Sequence, residues 1–242
     1  MNFSILIPTR SRPNNVERVL NSILDTSGDI KNVEVLFYYD EDDEIFKNEL
    51  KRIIDVFHDF NFSFFTEKPG IVKYNNWWDY LYKKSVGKYI MHGGDDLVFR
   101  TKNWDIILSS GIEEQITKNG DRILLAGTWD GAEDHKDGCL ITHSILTKDM
   151  VENLGYFTTG YFSSNFNDTW FTEIAKKIDR LYYRGDILID HLHPFYNKGL
   201  NDDVYKKQQE SGHLGFKEWG QNYSKLEEDV KKLLNIINKK GD

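Results

Sequence analysis

Four short apolar runs recur through the first 92 residues, at 3–7, 33–39, 62–66 and 88–92, and each ends in a polar corner. Between them apolar side chains repeat at helical spacing: Val16, Val19, Leu20, Ile23 and Leu24 after Pro13, then Phe46, Leu50, Ile53, Ile54 and Phe57, then Tyr74, Trp77, Trp78, Leu81 and Tyr82. A run apolar on both faces suits a strand buried in a parallel sheet, and Pro13 suits a first helical turn. Strand and helix in alternation predict right-handed crossovers, and so an α/β chain with a mostly parallel central sheet flanked by helices. Ligands of such sheets sit beyond the carboxyl ends of the strands.

Those corners therefore matter. The fourth run leads into Gly93-Gly94-Asp95-Asp96. Glycine lets backbone turn or approach a ligand closely, and carboxylates at a strand end suit a hard divalent cation that bridges to phosphates. A Gly-Gly turn with a solvated carboxylate pair is the plainer alternative. The second run ends in Asp40-Glu41-Asp42-Asp43-Glu44, either a second ligand-facing carboxylate or an acidic loop ahead of a helix N-terminus. Gly70, Lys73 and Asn75 open the next crossover, where a helix N-terminus and a cation can face phosphate. Gly87 is expected to follow the helix end as a C′ residue.

The second half is less regular. Helices are expected over 104–116 with Asn103 as cap, from Thr147 to Gly155, and from Asp168 onward. Strands are expected over 123–128, 139–145 and 187–189, the last running into His191-Leu192-His193. On a strand, His191 and His193 would share a face. Leu226, Val230, Leu233, Leu234 and Ile237 mark an amphipathic C-terminal helix.

No composition shift divides the 242 residues, so a single domain is expected over 1–242. The net charge of −8 argues against a broad nucleic-acid surface. One cysteine, Cys139, excludes an internal disulfide and fits a reducing compartment. No apolar run approaches the ~20 residues needed to span a bilayer, and Met1-Asn2-Phe3-Ser4 does not start a signal peptide. The expectation is a cytoplasmic protein.

In the order and spacing of these motifs, roughly from residue 3 to 195, the chain resembles the GT-A glycosyltransferases, in particular the inverting family-2 type. Ser4-Ile5-Leu6-Ile7-Pro8-Thr9-Arg10-Ser11-Arg12-Pro13 looks like that family's first strand and nucleotide loop. The resemblance implies nucleotide contacts from Pro8, Thr9, Arg10, Arg12, Asp40, Gly70, Lys73, Asn75, Gly94 and Asp95. Gly93-Gly94-Asp95-Asp96 aligns with the family's Asp-x-Asp signature, with Gly93 in place of the first carboxylate. It implies Mn2+ or Mg2+ held by Asp95 with His191 or His193. Asn167-Asp168-Thr169-Trp170 resembles the Glu-Asp motif, which makes Asp168 the general base toward the acceptor; a helix cap is the plainer role for the same residue. As a cap its pKa would be lowered by the helix dipole.

The same resemblance divides the chain into a nucleotide-sugar-binding half (1–100), an acceptor-binding half (101–200) with Trp129, Asp130, Tyr161 and Trp170 toward the acceptor, and a helical tail (201–242). The implied reaction moves a sugar from a nucleotide-sugar, a UDP-sugar first, to a glycan or other hydroxyl-bearing acceptor, with inversion. Two other readings are a catalytically silent nucleotide- or glycan-binding module of the same fold, and a sugar nucleotidyltransferase. The latter's glycine-rich loop is missing from Thr9-Arg10-Ser11-Arg12.

Overall fold

The computed structural model of the chain describes residues 1–68, 76–162 and 166–240, apart from the side chains of 207, 208, 210–213 and 240. The chain runs β1 (Phe3–Pro8), α1 (Pro13–Thr26), β2 (Val33–Asp40), α2 (Glu44–Val56), β3 (Phe62–Glu67), α3 (Trp77–Tyr82), β4 (Tyr89–His92) and β5 (Leu97–Phe99). It continues through α4 (Trp104–Asn119), β6 (Leu125–Trp129), β7 (Ile145–Thr147), α5 (Lys148–Leu154), α6 (Asn167–Lys177), β8 (Leu181–His191) and α7 (Asp203–Lys240).

The strands form one sheet in the order β3-β2-β1-β4-β7-β6-β8-β5. The first four strands in that order pair in parallel, as the alternation of runs predicts. β7 is antiparallel to both of its neighbours, β6 and β8 are parallel, and β5 returns antiparallel on the far edge.

Side chains alternate between the two faces along each strand. Phe3, Ile5 and Ile7 of β1, with Val33, Val35 and Phe37 of β2, join one core with α1, α2 and α4. Leu6, Leu36, Tyr38 and Ile90 join the other with α3, α5, α6 and α7. Both faces being covered explains why the runs read as continuously apolar.

Several local expectations change. Residue 74 lies outside the described residues, and α3 itself is short. Gly87 lies five residues past α3 and does not cap it; a Cβ there would stand 2.5 Å from Ser4 Oγ and 2.7 Å from the backbone nitrogen of Ser4. Its requirement is close approach to β1. Asn103 makes no side-chain cap bond: it takes a left-handed backbone (φ 56°), which Asn tolerates, and donates its N–H to the Thr26 carbonyl at 2.6 Å. Residues 139–144 are irregular, and only Ile145–Thr147 pairs in the sheet. Thr147 does cap α5, its side chain accepting from the Met150 N–H, and Gly155 closes that helix at φ 88°. The short strand expected at 187–189 is the end of an eleven-residue strand, β8. The C-terminal helix begins at Asp203, far ahead of the apolar stripe that announced it.

Candidate active site

The carboxyl ends of β1, β4 and β8 meet at the Gly93-Gly94-Asp95-Asp96 corner. Gly93 is pressed against β1, its N–H donating to the Leu6 carbonyl at 3.0 Å while its own carbonyl accepts from Trp78 Nε1 at 2.9 Å. A Cβ there would sit 3.0 Å from Leu6 O and 3.1 Å from Ile7 Cγ1, so a larger residue would push on β1. That is a local reason for glycine where the related motif carries Asp.

Asp95 and Asp96 point to different partners. Asp95 is 5% exposed; its Oδ2 accepts from Thr9 Oγ1 at 2.7 Å and its Oδ1 from the Arg12 guanidinium at 3.0 Å. Burial, with Asp96 alongside, raises its pKa, and Arg12 opposes the rise. Asp96 instead faces β8: its Oδ2 lies 3.1 Å from His191 Nε2 and accepts from the Tyr205 hydroxyl. Burial works against its charge, but His191 and Tyr205 outweigh it and lower its pKa. Burial likewise disfavours a charged His191, and Asp96 more than offsets this, so the His191 pKa is raised.

β8 ends at His191, yet the two histidines expected on one face stay neighbours, with ring centroids 5.1 Å apart. His193 caps the following turn, its Nδ1 accepting from the Phe195 N–H at 3.2 Å, and its ring stands edge-on to Tyr205 at 4.9 Å. His143 packs edge-on to His191 at 4.6 Å; its Nε2 is buried without a hydrogen-bond partner among the described residues. Burial holds it neutral, with a pKa of about 3. No three His, Cys, Asp or Glu side chains converge at ligand range among the described residues. A cation of the Mg2+ type takes one or two carboxylates and keeps water and phosphate oxygens in its shell, and Asp96, beside His191, is a carboxylate of this corner that could serve one.

On the β2 side, Asp40 is held by Arg10 at 2.6 Å, and Arg10 also reaches Asp42 at 2.8 Å. Pro8 ends β1, and Thr9 donates its N–H to the Tyr38 carbonyl at 2.8 Å, which places the Thr9–Arg12 loop between Asp40 and Asp95. A Cβ on Gly94 would meet Asp96 Oδ1 at 2.6 Å. Gly70, Lys73 and Asn75 lie outside the described residues.

Toward the other side, Asp168 occupies the first turn of α6, but Phe166, in a left-handed conformation (φ 79°), is the N-cap. Asp168 Oδ1 accepts from the Thr169 N–H at 2.7 Å. Its pKa is raised, contrary to the dipole expectation, because burial exceeds what Thr169 returns. Asn167 is 4% exposed, and its Oδ1 accepts both the N–H and the hydroxyl of Thr159, at 2.9 and 3.1 Å, tying Thr159 to the start of α6.

Two of the expected acceptor residues are enclosed. Trp170 is fully buried, its Nε1 donating to Tyr156 Oη at 3.0 Å, so it belongs to the core. Asp130 is 4% exposed and saturated by the Ala132 N–H, Thr142 Oγ1 and His135 Nδ1 at 3.0, 2.9 and 2.7 Å; it shapes the 130–142 loop. Trp129, half-buried, donates Nε1 to the Ala132 carbonyl at 2.9 Å. Tyr161, also half-buried, leans on Trp170 with ring centroids 5.3 Å apart.

Sequence reasoning missed Asp96 as the partner of His191, and it missed Asp202 and Tyr205. Asp202 forms two hydrogen bonds with Arg12, at 2.7 and 2.6 Å, and the Arg12 guanidinium stacks 4.4 Å above the Tyr205 ring. An Asp ahead of a helix gave the only signal, since Asp202 also caps α7 through the N–H groups of Val204 and Tyr205.

No family model and no curated protein matches the chain. Solved structures do. The mannosyltransferase PcManGT from Pyrobaculum calidifontis, in complex with GDP-Man and Mn2+, superposes with a TM-score of 0.61 at 10% identity, over 78% of this chain and 56% of that one. S. aureus TarS 1-349 in complex with UDP-GlcNAc gives 0.57 at 14% identity, over 78% and 57%. GalNAc-T7 with UDP, GalNAc and Mn2+ gives 0.62 at 11% identity, over 79% and 43%. The chain thus spans between 43% and 57% of the length of these three structures. At such identities the likeness speaks for architecture: the chain has the GT-A fold of glycosyltransferases.

Proposed function

We propose that the chain is a glycosyltransferase that moves a sugar from a nucleotide-sugar, a UDP-sugar first, to a hydroxyl acceptor with inversion. The observation that carries this reading is the gathering of Arg12, Asp95, Asp96 and His191 at the carboxyl edge of a GT-A sheet. It is supported by the complexes in which the similar structures were solved: GDP-Man with Mn2+, UDP-GlcNAc, and UDP with GalNAc and Mn2+.

In this reading Asp96 and His191 would hold Mn2+ or Mg2+, where the sequence alone points to Asp95 with His191 or His193. When bound, such a cation supplies Lewis acidity that eases departure of a diphosphate. Arg12 takes the diphosphate charge, and Asp95 with Thr9 orients Arg12 for it. Asp40 and Arg10 meet the nucleoside end. Asp168 accepts the proton of the acceptor hydroxyl as its oxygen bonds to the anomeric carbon and the bond to the diphosphate breaks on the opposite face. Its raised pKa makes it a better proton acceptor than an ordinary Asp. Trp129 and Tyr161, half-buried, are the acceptor-side surfaces. No helix among the described residues is long and apolar enough to cross a membrane, and the cysteine usage supports work in the cytoplasm.

The test is to incubate the chain with UDP- and GDP-sugars, Mn2+ and a panel of glycan, lipid-linked and peptide acceptors, then read masses. Gain of one sugar residue by an acceptor is the expected result, with the anomeric configuration read by NMR. Nucleotide binding without any product would make the chain a binding module.

A further inference from the structure

One short segment, 202–205, reaches back over the site from the start of α7 and touches three of its residues. Asp202 places a carboxylate on Arg12 through two hydrogen bonds, of 2.7 and 2.6 Å. The Tyr205 ring lies beneath the same guanidinium at 4.4 Å and edge-on to His193 at 4.9 Å. The Tyr205 hydroxyl donates to Asp96 Oδ2, the oxygen that faces His191. Tyr205 is only 6% exposed, so its side chain fills the space above the Asp pair.

These contacts have the chemistry of an occupied donor site. A carboxylate on a guanidinium fork takes the place of a phosphate, since both anions match that fork with paired oxygens. A hydroxyl proton on Asp96 takes the place of a cation. We propose that 202–205 is an autoinhibitory strap which competes with the donor's diphosphate and its divalent cation for Arg12 and Asp96. The proposal rests on the donor reading above. The anchor lies elsewhere: Leu226, Val230 and Leu233 bury the distal part of α7, so the strap can lift while the helix stays seated. A donor then binds only the open fraction of molecules, and apparent affinity falls by that fraction.

Calorimetry on the full chain tests this, with UDP, GDP or inorganic pyrophosphate, each with Mn2+, on wild type and on the double variant Asp202→Asn, Tyr205→Phe. Asn retains the helix cap and loses the charge, and Phe retains the ring and loses the hydroxyl. The double variant is expected to bind UDP and pyrophosphate about tenfold more tightly, and hydrogen exchange over 199–206 in wild type is expected to speed up when UDP and Mn2+ are added. Equal or weaker binding by the variant, or slower exchange over 199–206 on adding UDP and Mn2+, would overturn the strap while leaving the donor reading intact. Absence of binding by both proteins to all three probes would overturn the donor reading and the strap together.

Discussion

His191 Nε2 and Asp96 Oδ2, separated by 95 positions in the chain, lie 3.1 Å apart where β8 passes the end of β4. The backbone fixes the pair as well: the Leu192 N–H donates to the Asp96 carbonyl and the His191 N–H to that of Asp130, both at 2.9 Å. The pairing gives two adjacent carboxylates different partners, and the consequence can be measured.

Asp96→Ala is expected to abolish any tightening of nucleotide binding by Mn2+. Asp95→Ala is expected to leave Mn2+ dependence in place but to weaken nucleotide binding, because Arg12 loses its orienting partner. It also removes a buried ion pair and the acceptor of the Thr9 hydroxyl, at a cost of about 1–3 kcal/mol. Calorimetry with Mn2+ and with EDTA reads the first effect and thermal melts the second. Loss of the Mn2+ effect in Asp95→Ala alone would return the metal to Asp95.

Asp168→Asn retains an oxygen for the Thr169 N–H and loses basicity. Transfer should fall by roughly 10²–10⁴-fold with melting temperature and nucleotide affinity near those of wild type. Since Phe166, not Asp168, occupies the N-cap, Asp168→Ala should cost little stability as well. An unchanged rate in Asp168→Asn would place the base elsewhere.

Asn167→Ala strips the acceptor from the buried N–H and hydroxyl of Thr159. A buried donor left unsatisfied costs about 1–3 kcal/mol, so the melting temperature should drop. Asn167→Asp would keep an acceptor and recover most of the loss; if it does not, the Thr159 contact is not what Asn167 contributes.

Trp170→Ala should destabilise the chain by about 3–5 kcal/mol, the usual cost of emptying a large buried aromatic site, since Trp170 is fully enclosed between Tyr161, Phe162 and Trp219. A sugar-stacking platform would behave differently, with acceptor KM rising and the melting temperature unmoved.

The sheet was legible because burial on both faces leaves continuous apolar runs, and β1, β2 and β4 are such runs; β3, on the edge and half-buried, shows through Phe62, Phe64 and Phe65. Short strands with little apolar length left weaker marks. β7 is three residues, and the 139–145 stretch reads as a strand although most of it turns. α7 was read only from Leu226 onward, where its face packs on α5 and α6; among the described side chains ahead of that, Leu214, Phe216 and Tyr223 are exposed, so no continuous apolar stripe announces it. At the site, strand-end carboxylates and histidines were readable as types. Which of Asp95 and Asp96 meets His191 was not, because the choice depends on how β5 and β8 pair antiparallel, Leu97 opposite His191. Tyr205 carries no local pattern at all, and only tertiary packing brings it onto Asp96.

The most direct test of the central claim is release of nucleoside diphosphate from UDP- and GDP-sugars by wild type and by Asp96→Ala, with Mn2+ and with EDTA. Release by wild type in Mn2+, abolished by EDTA and absent from folded Asp96→Ala, is the expected result. Release that is indifferent to EDTA and to Asp96→Ala, or no release by wild type from any donor in Mn2+, would contradict a metal-assisted transferase built on Asp96 and His191.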